Sequence, residues 1–402
     1  MARLSFAALL LAAAATGTSA AGCGGGSGLL YVSSYAGTIT TLNTTAKSSP
    51  AAGSKYPTIQ AVASNEGCKT SPSWLTLDHA GAQLFCVDES LPTPGGSLSS
   101  YRTNTDGSLS PIGKVTTAPG PVSGVFYGSR GHGFAIAHYV GSAFTTWDIS
   151  DPANIKNVDT VKFTEPAGPK PEQNAPHPHE TVLDPTERYI VVPDLGADLV
   201  RLFSFDNETL QTKALDPLKA KAGSGPRHAA FAVTGDKTYM YLITELGNTI
   251  VGYEVTYDDT IHFTEIFDIG VHGEGRAVPT TAAASEIVVS PDNKFLVVSS
   301  RRENSTQIPS FDDQTKQIDS DPIINFSIDE NTGKLTFLQE VSAGGRFPRH
   351  FSMNKAGTKI AVGLQTDGRV VVIQRDPESG KLGDFESFAN IAGDITSVIF
   401  DE

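Results

Sequence analysis

The chain has 402 residues, of which 39% are hydrophobic, and it carries 44 acidic against 30 basic side chains for a formal charge of −14 at pH 7. No basic run interrupts that balance, so nucleic acid and anionic membrane surfaces, which recruit the opposite sign, are poor partners. No apolar stretch reaches the ~20 residues of a membrane span, so none is expected.

The chain opens with Met1-Ala-Arg3, an apolar run over residues 4–15 and Thr18-Ser19-Ala20, the form of a signal peptide with a small-residue cleavage site. Residues 1–20 are therefore expected to be removed and the protein to be secreted, to the extracellular space or the cell wall. The sequons at Asn43, Asn207, Asn304 and Asn325 agree with that route as candidate glycan sites on surface loops. Of the three cysteines, Cys68 and Cys86 flank what reads as one hairpin and are the expected disulfide, with Cys23 to Cys68 as the alternative.

Beyond the leader, a unit recurs. Ser73-Trp-Leu-Thr-Leu-Asp78, His179-Glu-Thr-Val-Leu-Asp184, His228-Ala-Ala-Phe231, Glu286-Ile-Val-Val-Ser-Pro291 and His350-Phe-Ser-Met-Asn354 are short apolar-rich strands, each followed by a tight turn and a second strand. A third strand and a polar hairpin such as Asp376-Pro-Glu-Ser-Gly-Lys-Leu382 complete the unit. A degenerate copy runs from Val122 to Asp148, and a last one combines Leu29-Leu-Tyr-Val32 and Ile39 with Ile395-Thr-Ser-Val-Ile-Phe400. The expectation is an all-β, seven-bladed propeller of four-stranded antiparallel blades over 21–402, one domain closed by N- and C-terminal strands in one blade. An array of β-sandwiches is the alternative, but it leaves the last strand's nearness to the C-terminus unexplained.

In a propeller the first strand of each blade lines the axis, so residues at one phase of that strand converge. That phase holds His179, Arg227 with His228, Ser285 with Glu286, and Arg349 with His350; the second-strand ends carry Asp88-Glu89, His138, Asp194, Glu245, Arg301 and Gln365. Guanidinium forks suit carboxylates, and His and Glu suit proton transfer. Blade-to-blade ion pairs and turn caps are the competing reading for each residue. His177-Pro-His179 has the spacing of half a zinc site, yet no third ligand motif sits near it, and no metal or other cofactor is expected. No Gly-x-Ser-x-Gly elbow occurs.

The stretches Pro176-His-Pro-His-Glu-Thr-Val-Leu-Asp-Pro185, Gly225-Pro-Arg-His228, Thr244-Glu-Leu246, Ser299-Ser-Arg301 and Phe347-Pro-Arg-His350 resemble the seven-bladed propeller lactonases, as a secreted fungal-type member. That family includes 6-phosphogluconolactonase and the 3-carboxy-cis,cis-muconate lactonizing enzyme, or carboxymuconate cyclase. The resemblance implies His179, Arg227, Glu245 and Arg301 as catalytic residues, with His177, His228, Glu286, Arg349 and His350 as substrate-binding neighbours. Ser299-Ser-Arg-Arg302 departs from the family's Ser-Asn-Arg, which makes Arg302 a competitor for the role of Arg301. It also implies a small carboxylate or lactone substrate and a carboxymuconate cyclase-like reaction, or hydrolysis of an unphosphorylated lactone, because phosphorylated sugar lactones are intracellular. A secreted surface glycoprotein or adhesin, docking on a cell-wall or host-surface partner without catalysis, is the reading from a different class.

Overall fold

The computed structural model describes residues 28–93 and 95–402. The leader and Cys23 lie outside the described residues. Seven four-stranded antiparallel sheets surround one axis, as expected. The innermost strands are Ile395–Phe400 in blade 1, Pro72–Asp78 in blade 2, Pro121–Tyr127 in blade 3 and Val182–Leu183 in blade 4. Pro226–Thr234, Ala283–Val289 and Pro348–Met353 serve blades 5, 6 and 7. Blade 1 joins the two ends of the chain, with Leu30–Phe400 to Ser33–Ser397 in antiparallel register. Blade 6 carries an extra hairpin, Thr306–Pro309 with Gln317–Ser320, between its second and third strands.

Apolar side chains at alternate strand positions pack between neighbouring blades, because each sheet buries both faces against the next. Tyr241, Ile243 and Ile250 of blade 5 meet Leu296, Val298 and Ile324 of blade 6 in one such layer. Truncating Leu296, which is fully buried, to Ala costs about 2–5 kcal/mol.

Near the axis the contacts turn polar and run round the whole ring. Thr396 Oγ1 donates to Pro72 O (2.6 Å), Ser73 Oγ to Pro121 O (2.6 Å) and Thr181 Oγ1 to Ala135 O (3.2 Å). Ala229 N donates to Glu180 Oε2 (2.7 Å), Arg227 Nη1 to Ser285 O (2.8 Å) and Ser285 Oγ to Arg349 O (2.8 Å). Val398 N donates to His350 Nδ1 (3.2 Å) and closes the circle. Every blade boundary is thus bridged at the hub, which fixes the hub side chains against one another.

Cys68, in the connection entering blade 2, and Cys86, in that blade's second strand, form a disulfide with Cα atoms 6.2 Å apart. Asn325 overturns one sequence expectation. It lies inside the blade 6 strand Pro322–Ile328 with no exposed surface, its amide donating to Gly380 O, and a glycan there is incompatible with the packing. Asn207 and Asn304 are exposed and Asn43 half-buried.

Candidate active site

A repeated irregularity builds the hub. The innermost strand slips register between Pro72 and Trp74, between Pro121 and Ser123, between Pro226 and His228, and between Pro348 and His350. Proline at the strand's first position lacks a ladder donor, and the residue after it is a bulge. Plain strand alternation sends neighbours to opposite faces; a bulge re-aims one of them, so both Arg227 and His228, and both Arg349 and His350, reach the centre. In blade 6 a longer slip between Ala284 and Ile287 does the same for Ser285 and Glu286.

Blade 4 reaches the same result by another route. Its prolines confine the ladder to Val182–Leu183, but His179 N still donates to Pro193 O (2.9 Å) and Leu195 N to His177 O (3.0 Å). That anchorage presents His179 and Glu180 to the hub.

Arg227 enters behind Gly225, which sits at a φ of +64°, where a Cβ would lie 2.6 Å from Leu246 Cγ. The same glycine accepts from Glu245 N at 2.8 Å, placing the acid beside the base. Arg227 Nε then donates to Glu245 Oε2 (3.1 Å), and Arg301 Nη2 pairs with that oxygen at 2.9 Å. Arg301 is anchored further by Ala283 O (3.1 Å) and lies over the Phe347 ring. Arg302, the competitor in the motif, is exposed, whereas Arg301 is buried at the hub.

His179 Nδ1 lies 3.1 Å from His228 Nε2, and His228 Nδ1 lies 2.8 Å from Glu286 Oε1. His350 Nε2 stands 3.7 Å from Glu286 Oε2, and the Trp74 ring meets His228 and His350 edge-on. Arg349 reaches Glu89 at 3.8 Å, and Glu89 accepts from the Tyr35 hydroxyl. His179, Arg227, His228, Glu286, Arg349 and His350 line a narrow central cavity with Ser73 and Trp74. The structure therefore brings all four expected catalytic residues and four of their five neighbours to one place.

His177 does not join them. Its ring nitrogens face Tyr139 O (2.8 Å) and Asn174 Oδ1 (2.8 Å), and the ring stacks on Tyr139, so the pairing of His177 with His179 as half a metal site is not formed. Three strand-end residues are turn and ladder anchors instead. Asp88 accepts from Ser71 N and Ser90 N, Asp194 from His177 N and Gly196 N, and His138 is held between Ala118 O and Thr145 Oγ1. Gln365 is buried near the blade 7 rim without a partner for its Oε1. Sequence reasoning missed Glu180 as a hub residue. Its signal was position: Glu180 follows His179 as Glu286 follows Ser285 and His228 follows Arg227.

Electrostatics divide the roles. Burial raises the Glu245 carboxyl, but Arg301 and Arg227 outweigh it and hold the group below the ordinary carboxylate range, so it is ionised. Burial, reinforced by Arg227, keeps His179 and His228 well below the ordinary imidazole range, so both are neutral. Burial, and then Arg301, lowers Arg227 to about 10. The hub thus offers cationic forks, one fixed carboxylate and a neutral imidazole able to take and return a proton.

The family model for a seven-bladed β-propeller lactonase matches residues 27–400. A probable 6-phosphogluconolactonase of Arthroderma benhamiae is 29% identical over 325 residues, covering 80% of this chain and 78% of its own. A 6-phosphogluconolactonase of Formosa agariphila is 26% identical, covering 77% and 83%. Among solved structures, a putative 6-phosphogluconolactonase of Bacteroides fragilis superposes with a TM-score of 0.75 at 21% identity, covering 92% of this chain and 97% of that one. The periplasmic gluconolactonase of Pseudomonas aeruginosa gives 0.73 at 21% identity, covering 92% and 98%. At such identities the solved structures speak for the fold, and the match over nearly the whole described chain speaks for more: the protein belongs to the seven-bladed β-propeller lactonase family.

Proposed function

We propose that the protein opens the ring of a small, unphosphorylated lactone at the hub. Water attacks the lactone carbonyl carbon, the ring C–O bond breaks, and the freed ring oxygen becomes a hydroxyl. His179 gives a proton to the ring oxygen and takes one from the attacking water, while Arg227, Arg301 and Arg349 bind the developing oxyanion and any substrate carboxylate.

One observation carries the reading: two buried guanidinium groups, Arg227 and Arg301, and the half-buried Arg349 converge beside a neutral imidazole, and Glu245, bound by the first two, is spent as their anchor. That removes Glu245 from proton transfer and leaves it to His179. The expected secretory leader favours an unphosphorylated substrate over a phosphorylated one. A second reading, formation of the ring by addition of a substrate carboxylate to a double bond, draws support from the same three cations, which match a tricarboxylic acid.

Purified protein incubated with glucono-1,5-lactone, its 6-phosphate and 3-carboxy-cis,cis-muconate distinguishes these. Hydrolysis of the first, lost in His179→Asn, is the expected result; turnover of the muconate alone supports the second reading. Turnover of none would return the hub to a structural role in a secreted surface glycoprotein.

A further inference from the structure

Behind His179 lies a group of side chains that ring opening as described leaves unused. Glu180, His228 and Glu286 are all buried, and one ligand atom of each lies within 4.8 Å of the others. His228 Nδ1 faces both acids, at 2.8 Å from Glu286 Oε1 and 3.7 Å from Glu180 Oε1. Two carboxyl groups this close, away from water, do not both ionise at ordinary cost.

Charge counting points the same way. The hub holds four carboxyl groups, Glu89, Glu180, Glu245 and Glu286, and three guanidinium groups, Arg227, Arg301 and Arg349. Glu245 takes Arg227 and Arg301, and Glu89 takes Arg349. With the hub imidazoles neutral, one proton on the Glu180–Glu286 pair makes the whole set electrically neutral. Glu286 Oε2 is buried with no hydrogen-bond partner, a situation that costs less for a neutral acid than for a carboxylate.

We propose that Glu286, with Glu180 beside it, holds one exchangeable proton and passes it through His228 to His179. The inference rests on His179 being the proton carrier of the lactone reaction. In the loaded state His228 carries its hydrogen on Nε2 and donates to His179 Nδ1, 3.1 Å away. On delivery the Glu286 O–H bond breaks and an Nδ1–H bond forms on His228. The Nε2–H bond of His228 breaks as an Nδ1–H bond forms on His179, whose own Nε2 proton goes to the substrate oxygen. Each imidazole ends neutral with its tautomer reversed, and the charge left on Glu286 is matched by the proton delivered; the attacking water's proton then enters His179 at Nε2 and runs the same path back to Glu286, which restores the loaded state. The two tautomers of His228 differ in their contacts: with Nδ1–H it donates to Glu286 while its Nε2 accepts from Arg227 Nη1 at 3.2 Å, and with Nε2–H it gives up that guanidinium bond and donates to His179. The groups facing the acid pair are His228, His350, Arg227 and Arg349, alongside the backbone donors Ala229 N and Ile287 N. Glu180, His228 and Glu286 are positioning residues in this scheme, acting through His179.

The test compares Glu286→Gln, which keeps the shape and the acceptor, with Glu180→Gln and His179→Asn. Infrared spectra of the protein without substrate should show a protonated-carboxyl band at neutral pH that Glu286→Gln or Glu180→Gln removes. With glucono-1,5-lactone, Glu286→Gln should lower kcat about 10- to 100-fold with KM unchanged, within the range general acid–base groups supply, and flatten the kcat–pH profile. No such band in the wild-type protein overturns the proposal, whatever the activity. Wild-type kcat and pH profile in Glu286→Gln, with His179→Asn inactive, also overturns it and leaves the lactonase reading standing. Full activity in His179→Asn defeats that reading instead. One equivalent of divalent cation in the purified protein, lost on Glu286→Gln, would put a metal where we place the proton.

Discussion

Glu245 and Arg301 meet across the boundary between blades 5 and 6, Oε2 to Nη2 at 2.9 Å, and the same carboxylate oxygen takes Arg227 Nε at 3.1 Å. One acid therefore holds two buried cations that would otherwise repel. Glu245→Gln keeps the shape but removes the charge. It should lower kcat/KM for lactone hydrolysis and destabilise the fold by about 3 kcal/mol, the cost of stranding a buried charge. Denaturant midpoints and steady-state kinetics on the same preparation check both effects.

Adjacent arginines should behave oppositely. Arg301→Lys replaces a fork anchored on Glu245 and Ala283 O with a point charge and should reduce kcat/KM about 10-fold or more, the weight of one charge-assisted bond. Arg302→Ala removes an exposed side chain and should leave turnover within about 2-fold, as surface changes do. Matched kinetics of the two variants decide between them.

The ring was legible because its signals are local: short apolar strands, turn residues and a period. The closing blade was legible too, since an apolar segment so near the C-terminus needs a partner. The hub was legible in part, through the repeated Pro-Arg-His at 226–228 and 348–350. What strand periodicity alone hid was the bulge, which sends neighbours inward together. Alternation therefore suggested that His177 and His179 shared a face and gave Glu180 no role. Asn325 was misjudged because a sequon carries no information on burial.

Outside the hub, His272 ties two acids, Nε2 to Glu303 Oε1 at 3.1 Å and Nδ1 to Glu340 Oε2 at 2.9 Å. Burial lowers this imidazole, but the two carboxylates outweigh it and raise it to about 9. A folded-state value above the unfolded ~6.5 stabilises fully below ~6.5 and is lost as pH rises through about 9. The melting temperature should fall between pH 6.5 and 9, and His272→Gln should remove part of that slope. Melting curves across the range provide the check.

The Cys68–Cys86 bridge closes a segment of sequence separation 18, and loops of this size are worth about 3 kcal/mol when crosslinked. Cys86→Ser should lower stability by about that amount without altering the hub. Urea unfolding of the wild-type and variant proteins measures it.

If the chain follows the secretory route expected from its leader, Asn325 should remain unmodified while exposed Asn207 and Asn304 are available for glycans. Peptide mass mapping of protein secreted from a eukaryotic host reads occupancy site by site.

Arg227 touches Glu245, His228 and the backbone of blade 6 at once. The decisive measurement is the turnover of glucono-1,5-lactone by Arg227→Ala, with folding verified by near-ultraviolet circular dichroism. A properly folded variant with kcat/KM reduced about 100-fold or more agrees with hub guanidinium groups that stabilise the transition state. A folded variant that opens the lactone as fast as the wild type would contradict it.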